Sequence, residues 1–149
     1  MKNKKEDVKE IVKVDEEIKK DQKKEEIEIN NIEDEIQGIV DGCINCGLCK
    51  SLCPVFKIME EEYYSPRGKA IMFSERFIDK IVFECNLCKA CEQKCPLKIK
   101  VWEAVRNARE VLNLKGKELE ANKEMMDNIR QTGNPFGKGD KKTDKLYCC

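Results

Sequence analysis

With 149 residues the chain has the length of one ordinary domain, and 39% charged against 6% aromatic residues leaves material for only a modest apolar core. Lysine and arginine balance aspartate and glutamate at 29 each, which argues against a nucleic-acid-binding surface over the whole molecule. The balance conceals an asymmetry: residues 1–36 hold 9 lysines and 13 acidic residues, a net of −4 that leaves +4 for the rest.

That first segment is rich in Lys and Glu. Val8, Ile11, Val14 and Ile18 are helically spaced, Asp21 to Glu26 interrupts the stripe, and Ile27, Ile29, Ile32 and Ile36 resume it. The pattern predicts either a solvated tail or a partner-stabilised helix over residues 1–30. Ile32, Ile36, Ile39 and Val40 predict a helix packed against the first of two cysteine runs.

That run is Cys43-Ile44-Asn45-Cys46-Gly47-Leu48-Cys49-Lys50-Ser51-Leu52-Cys53-Pro54. Val55 to Met59 then predict a short apolar helical turn, ending in the acidic Glu60, Glu61 and Glu62. Ser65 before Pro66 is an N-cap and first-turn pair, so a helix is predicted to begin there. Ala70, Phe73, Phe77 and Ile81 give it an apolar stripe, widened by Ile71 and Ile78, that would deliver the chain to Cys85.

The cysteine pattern now repeats: Cys85-Asn86-Leu87-Cys88-Lys89-Ala90-Cys91-Glu92-Gln93-Lys94-Cys95-Pro96, offset by 42 residues. Beyond it Val101, Ala104, Val105, Ala108, Val111 and Leu112 predict a helix flanked by Trp102 and stopped at Gly116. Leu119, Asn122, Met126 and Ile129 predict another, closed by Gly133, and Pro135 and Gly137 mark a loop. No β-alternating run of useful length occurs. The predicted organisation is a charged tail or helix at 1–30, a cluster-binding domain at 31–137 and a C-terminal tail at 138–149.

Both cysteine runs read C-x-x-C-x-x-C-x-x-x-C-P, the run by which bacterial-type ferredoxins hold [4Fe–4S] clusters. Three thiolates two residues apart on a turning loop reach three corners of one cube. The fourth, before proline, ligates the other cluster in two-cluster proteins. The predicted sets are Cys43, Cys46, Cys49 with Cys95, and Cys85, Cys88, Cys91 with Cys53.

Zinc fits this pattern poorly, because zinc sites use separated pairs of ligands and often histidine, which the chain lacks altogether. Disulfides fit poorly as well, because the opening Met-Lys-Asn-Lys-Lys-Glu-Asp has no apolar secretory segment behind its charges. A reducing cytoplasm is the expected compartment. No apolar stretch approaches the ~20 residues of a bilayer span, so membrane association is expected only through a partner. The small β/α ferredoxins place their two runs closer together among short strands; here a capped helix fills the interval. The fold class predicted is all-α, an α-helical ferredoxin with two cluster-binding loops in a pseudo-repeat.

The order of cluster run, Ser65-Pro66-Arg67-Gly68-Lys69, second run, helix and Gly133-Asn134-Pro135-Phe136-Gly137 resembles the iron–sulfur subunits of glycolate and lactate oxidation, of anaerobic glycerol-3-phosphate dehydrogenase and of heterodisulfide reductase. The resemblance covers about residues 39–149. It implies a helical ferredoxin module relaying electrons between a flavoprotein and a cysteine-rich partner bearing Cys-Cys-Gly repeats, or a quinone-linked site. Larger members continue into those repeats, whereas this sequence reaches Cys148-Cys149 without them.

No acid, base or nucleophile constellation for substrate chemistry is visible, and there is no Gly-rich dinucleotide fingerprint. The expected role is thus electron transfer within an oxidoreductase complex, with no catalytic residue on this chain. A redox or oxygen sensor and a structural cluster scaffold are the alternatives. Of Lys69, Arg67 and the acidic Glu60, Glu61 and Glu62, most are expected on a solvated face. Arg67 is the exception, a guanidinium beside a cluster loop that either donates to sulfur and raises the potential or caps the loop. Lys98, Lys100, Arg106, Arg109, Lys115 and Lys117 form an expected basic docking face.

Overall fold

The structure, a computed structural model, describes residues 23–137. The expectations for residues 1–22 and for the tail from 138 to Cys149 lie outside the described residues. The all-α architecture expected from the sequence is what is found: six α-helices joined by 3₁₀ turns, with no strand among the described residues. Two compact units divide the chain, one ending at Gly116 and the second starting at Lys117.

In the first unit α1 covers residues 23–40, and its isoleucine stripe does what its spacing predicts: Ile36 and Val40 are buried, with Ile29, Ile32 and Ile39 packed around them. A 3₁₀ turn at Leu48–Leu52 leads to the short helix α2, Pro54–Met59. Helix α3, Pro66–Ser74, begins as the Ser-Pro pair predicts: the Ser65 hydroxyl accepts from the Gly68 N–H at 2.9 Å, and Pro66 fills the first turn, where no N–H is needed.

α3 is shorter than its apolar spacing suggests. Arg76 takes a left-handed conformation (φ 55°). Its N–H donates to the Phe73 carbonyl at 3.0 Å and that of Phe77 to Met72 at 2.8 Å. These paired bonds make a Schellman stop in which an arginine occupies the place glycine usually takes. Phe77 therefore leaves the stripe and is 56% exposed, while Ile81 falls in a 3₁₀ turn at Lys80–Glu84.

After the short α4, Ala90–Lys94, α5 runs from Val101 to Leu114. Its predicted stripe is enclosed, with Ala104, Val105, Ala108 and Val111 fully buried beside Phe73 and Val82. Each such Val or Phe contributes roughly 1.5–3 kcal/mol relative to exposure. Gly116 ends the helix in the left-handed region (φ 64°), as expected. Polar contacts tie α1 to the same core: Arg76 to Asp34 at 2.7 Å and Lys115 to Glu33 at 2.5 Å.

In the second unit α6, Glu120–Thr132, stops at Gly133 (φ 71°) as its sequence predicts. The Asn-Pro loop folds back on it, Asn128 donating to the Pro135 carbonyl at 3.2 Å. None of its helical residues is buried.

Candidate functional site

The two cysteine runs share one backbone course. The residue before the second cysteine of each run is left-handed, Asn45 at φ 55° and Leu87 at 51°. So is the residue after it, Gly47 at 79° and Lys89 at 62°. Left-handed non-glycine residues persist where their surroundings impose them. Here they curl each loop so that successive thiols turn to one side. The cysteine that closes each run is held differently: Cys53 Sγ accepts from the Phe56 N–H at 3.5 Å, and Cys95 Sγ from that of Ile99 at 3.4 Å.

Two cavities result. The first, about 430 Å³ of space partly open to solvent, is lined by Cys43, Cys46, Cys49 and Cys95, with Cys91 at its edge. The second, about 360 Å³, is lined by Cys53, Cys85, Cys88 and Cys91. All eight cysteines are free thiols, and the middle one of each run, Cys46 or Cys88, is exposed. Pro66, Cys91 and Val101 line both cavities, which therefore share a wall. Among the described residues no three Cys, Asp or Glu side chains converge as ligands of a single ion would. The thiols instead stand around a volume, as they must if each is to bind a different iron of a cubane.

Helix α3 supplies a cation to each cavity. Arg67 lines the first and is clamped by Glu62, its Nε donating at 2.7 Å. The Glu62 carboxylate also accepts from Lys50 Nζ at 2.5 Å and from the Ser65 hydroxyl at 3.0 Å. The hydrogen bond from Arg67, with those from Lys50 and Ser65, holds the Glu62 carboxyl down at about 2.

Lys69 lines the second cavity, and here the expectation of a solvated side chain is corrected: Lys69 is 2% exposed. Its ammonium donates to the Tyr64 carbonyl at 2.6 Å and forms no ion pair among the described residues. The sequence did hold a signal, since Lys69 sits on the stripe Pro66, Ala70 and Phe73 at helical spacing. An ammonium so placed carries an effective burial penalty of several kcal/mol unless an anion stands nearby. Burial pushes the Lys69 ammonium below the ordinary lysine range, and Cys85, Cys53, Glu84 and Cys91 oppose that only in part. A cavity walled by four thiols and one buried cation fits an anionic, thiolate-ligated cluster.

Burial pushes the Cys91 thiol up to about 11 and raises that of Cys49 as well. Loading iron must therefore displace protons from these thiols, which ties assembly to pH.

A second correction concerns Arg109, expected on a basic outer face. Its guanidinium turns inward and donates to the Val82 carbonyl at 2.9 and 3.1 Å, to that of Phe83 at 3.2 Å and to that of Cys85. It thereby fixes the turn that presents the second run. Of the other cations, Lys115 is paired with Glu33, and Lys100 and Arg106 flank Glu103 at 3.6 and 3.8 Å. The basic face is thus narrower than composition suggests. Trp102 donates to Glu92 at 2.7 Å and lies under the Lys89 ammonium at 4.3 Å, closing the outer side of the second cavity.

Residues 39–99, which contain both runs and α3, match the family model of the 4Fe-4S dicluster domain. The match covers less than half of the chain and includes all eight cysteines of the two runs. The cofactors of this segment are two [4Fe–4S] clusters. The chain is 24% identical over 105 residues to the glycolate oxidase iron-sulfur subunit of Escherichia coli, covering 65% of this chain and 26% of that protein. It is 26% identical over 103 residues to a probable glycolate oxidase iron-sulfur subunit of Bacillus subtilis, covering 59% and 23%. It is 32% identical over 88 residues to a subunit of the ion-translocating oxidoreductase complex of Buchnera aphidicola, covering 59% and 18%. The chain thus spans well under half the length of each. No helix among the described residues is long and apolar enough to cross a membrane.

Proposed function

We propose that this chain is an electron-transfer component of an oxidoreductase complex. In this reading Cys43, Cys46, Cys49 and Cys95 hold one [4Fe–4S] cluster, and Cys85, Cys88, Cys91 and Cys53 hold the other. The observation that carries the reading is the pair of cysteine-walled cavities that share Pro66, Cys91 and Val101 as a common wall. The clusters supply reversible one-electron chemistry. The chain's own residues do the rest. Each loop presents its thiols to one side, and the fourth cysteine of each run crosses to the other cavity. Ile99 and Val101 on one side and Val55 and Val105 on the other keep the inner faces apolar. Cys46 and Cys88 leave one edge of each cavity at the surface, where an electron can enter or leave.

The names of the relatives put comparable segments in subunits of larger oxidoreductases. The family resemblance of residues 39–149 implies a flavoprotein donor and a cysteine-rich or quinone-linked acceptor, met in the cytoplasm, where thiolates stay available for iron. Bond chemistry is assigned to the partner, in keeping with subunits of larger oxidoreductases among the relatives.

Anaerobic reconstitution followed by metal analysis and redox titration tests the reading. About eight iron and eight sulfide per chain, with two reversible one-electron steps, are expected. Stoichiometric zinc with negligible iron in anaerobically purified protein overturns it. Irreversible cluster conversion in air, coupled to altered partner binding, would replace the relay with a sensor.

A further inference from the structure

The two cations that α3 carries are not equivalent, and the difference is visible in their partners. Arg67, at the first cavity, shares the Glu62 carboxylate with Lys50, and all three side chains are partly exposed, so the net positive charge that the set leaves is screened by solvent. Lys69, at the second, is enclosed by protein, donates only to the neutral Tyr64 carbonyl and forms no ion pair among the described residues. The thiols of Cys53, Cys85 and Cys91 line the same cavity as Lys69, and Glu84, the acidic residue before Cys85, is exposed and forms no ion pair with it.

We propose that Lys69 is the internal counter-charge of the second cluster and makes it the easier of the two to reduce, so that α3 sets the order in which electrons occupy the relay. This rests on the reading that both cavities hold clusters. When a cluster accepts one electron from a low-potential donor such as dithionite, it gains one negative charge and no bond forms or breaks. A fixed positive charge in the same water-poor wall stabilises that added charge, whereas a charge that is part-exposed and shares a carboxylate does so far less. Lys69 acts as a positioning residue through its field alone. It neither ligates iron nor moves a proton.

The test uses the reconstituted holoprotein and the variants Lys69→Met and Lys69→Arg, with iron counted before each redox titration. In Lys69→Met the ratio of reduced to oxidised second cluster at fixed potential should fall about tenfold, a shift of about 59 mV for one electron. The first cluster should shift much less, and Lys69→Arg should restore the original order. Hyperfine-shifted signals of the Cys85 and Cys88 methylene protons identify which cluster has moved. Unchanged midpoints in fully loaded Lys69→Met, or a shift confined to the Cys43 and Cys46 signals, overturn the proposal. If Lys69→Met loses the second cluster outright, its retention in Lys69→Arg supports the counter-charge. Loss in both variants overturns it in favour of shape. A wild-type protein that takes up no iron would instead defeat the underlying reading, and the iron count detects that separately.

Discussion

A Cβ added to Gly68 would stand 2.0 Å from the carbonyl oxygen of Glu62 and 2.9 Å from the Cα of Tyr63. The backbone of residues 62–64 crosses α3 at this point, and both obstacles are main chain, which cannot swing aside. Gly68 is not in a left-handed conformation. Close approach, not φ, is therefore what requires glycine. The crossing places Glu62 against Arg67 and the Tyr64 carbonyl against Lys69, so the same contact organises both cations.

Gly68→Ala should therefore lower stability by at least the ~1–3 kcal/mol typical of overpacking. It should also reduce the iron retained per chain. Thermal unfolding and metal analysis of the purified variant check this. A protein with the wild-type midpoint and full iron content would show that the crossing can yield.

The crossed ligand sets make the fourth cysteines diagnostic. Cys53→Ser should disturb the cluster held by Cys85, Cys88 and Cys91, in whose cavity Cys53 lies, and leave the other spectrally intact. Cys95→Ser should do the converse, since Cys95 lines the cavity of Cys43, Cys46 and Cys49. Site-resolved spectra in which each substitution damages the cluster of its own run would reverse the assignment.

These two cases mark how far the sequence could be read. The thiol spacing and the Ser65–Pro66 cap act within a few residues, so their consequences were legible directly. The end of α3 was not, because Arg76 fills a left-handed position normally signalled by glycine, and the apolar spacing of Phe77 and Ile81 ran on past it. The burial of Lys69 depends on how residues 62–64 cross the helix. Arg109 finds its carbonyl partners 24 to 27 residues away along the chain. Such pairings are set by tertiary packing, and a charged residue on the flank of an amphipathic helix reads as solvated until the packing is known.

Arg109 offers a third measurement. It donates to the carbonyls of Val82, Phe83 and Cys85, and its removal leaves those partly buried acceptors without that donor. Arg109→Met should cost about 1–3 kcal/mol and favour loss of the second cluster over the first. Arg109→Lys should rescue only in part, since an ammonium lacks the planar fork that reaches several acceptors at once. Equal loss of both clusters in Arg109→Met would mean that the residue stabilises the core and not this loop.

Glu62 gives a pH dependence whose sign is fixed. Its carboxyl titrates at about 2 in the fold against an ordinary 4.5. A depressed folded pKa means that the stabilisation is fully present above about 4.5 and disappears as pH falls toward 2. The carboxylate side chain is 39% exposed, so solvent screening keeps the contribution of its ion pairs below about 1 kcal/mol. Denaturant midpoints of wild type and Glu62→Gln should differ at pH 6, approach one another below pH 4.5 and coincide near pH 2. A gap that is constant across this range would mean that shape, not charge, makes the contribution.

Removal of iron should divide the first unit into two kinds of structure. The apolar core of Ile36, Val40, Phe73, Val82, Val105, Ala108 and Val111 is assembled from α1, α3, α5 and the turn before Cys85, with no cysteine among its buried members and Cys43, Cys85 and Cys91 packed only against its edge. The cluster loops have little beyond their thiols to hold them: neither the 3₁₀ turn Leu48–Leu52 nor α2 or α4 contains a buried residue. Leu87 and Lys89 are moreover held in left-handed conformations that an unligated loop has reason to leave. Chelator-stripped protein should therefore keep amide protection at Val105, Ala108 and Val111 while losing it through residues 43–60 and 85–95. Circular dichroism should fall only in part, and hydrogen exchange read residue by residue would show where. Adding iron and sulfide should restore the loops with release of protons, most steeply with pH where the raised thiols of Cys49 and Cys91 must ionise. Uniform loss of protection from α5 to the loops would mean that the clusters nucleate the whole unit and that its helical core cannot stand without them.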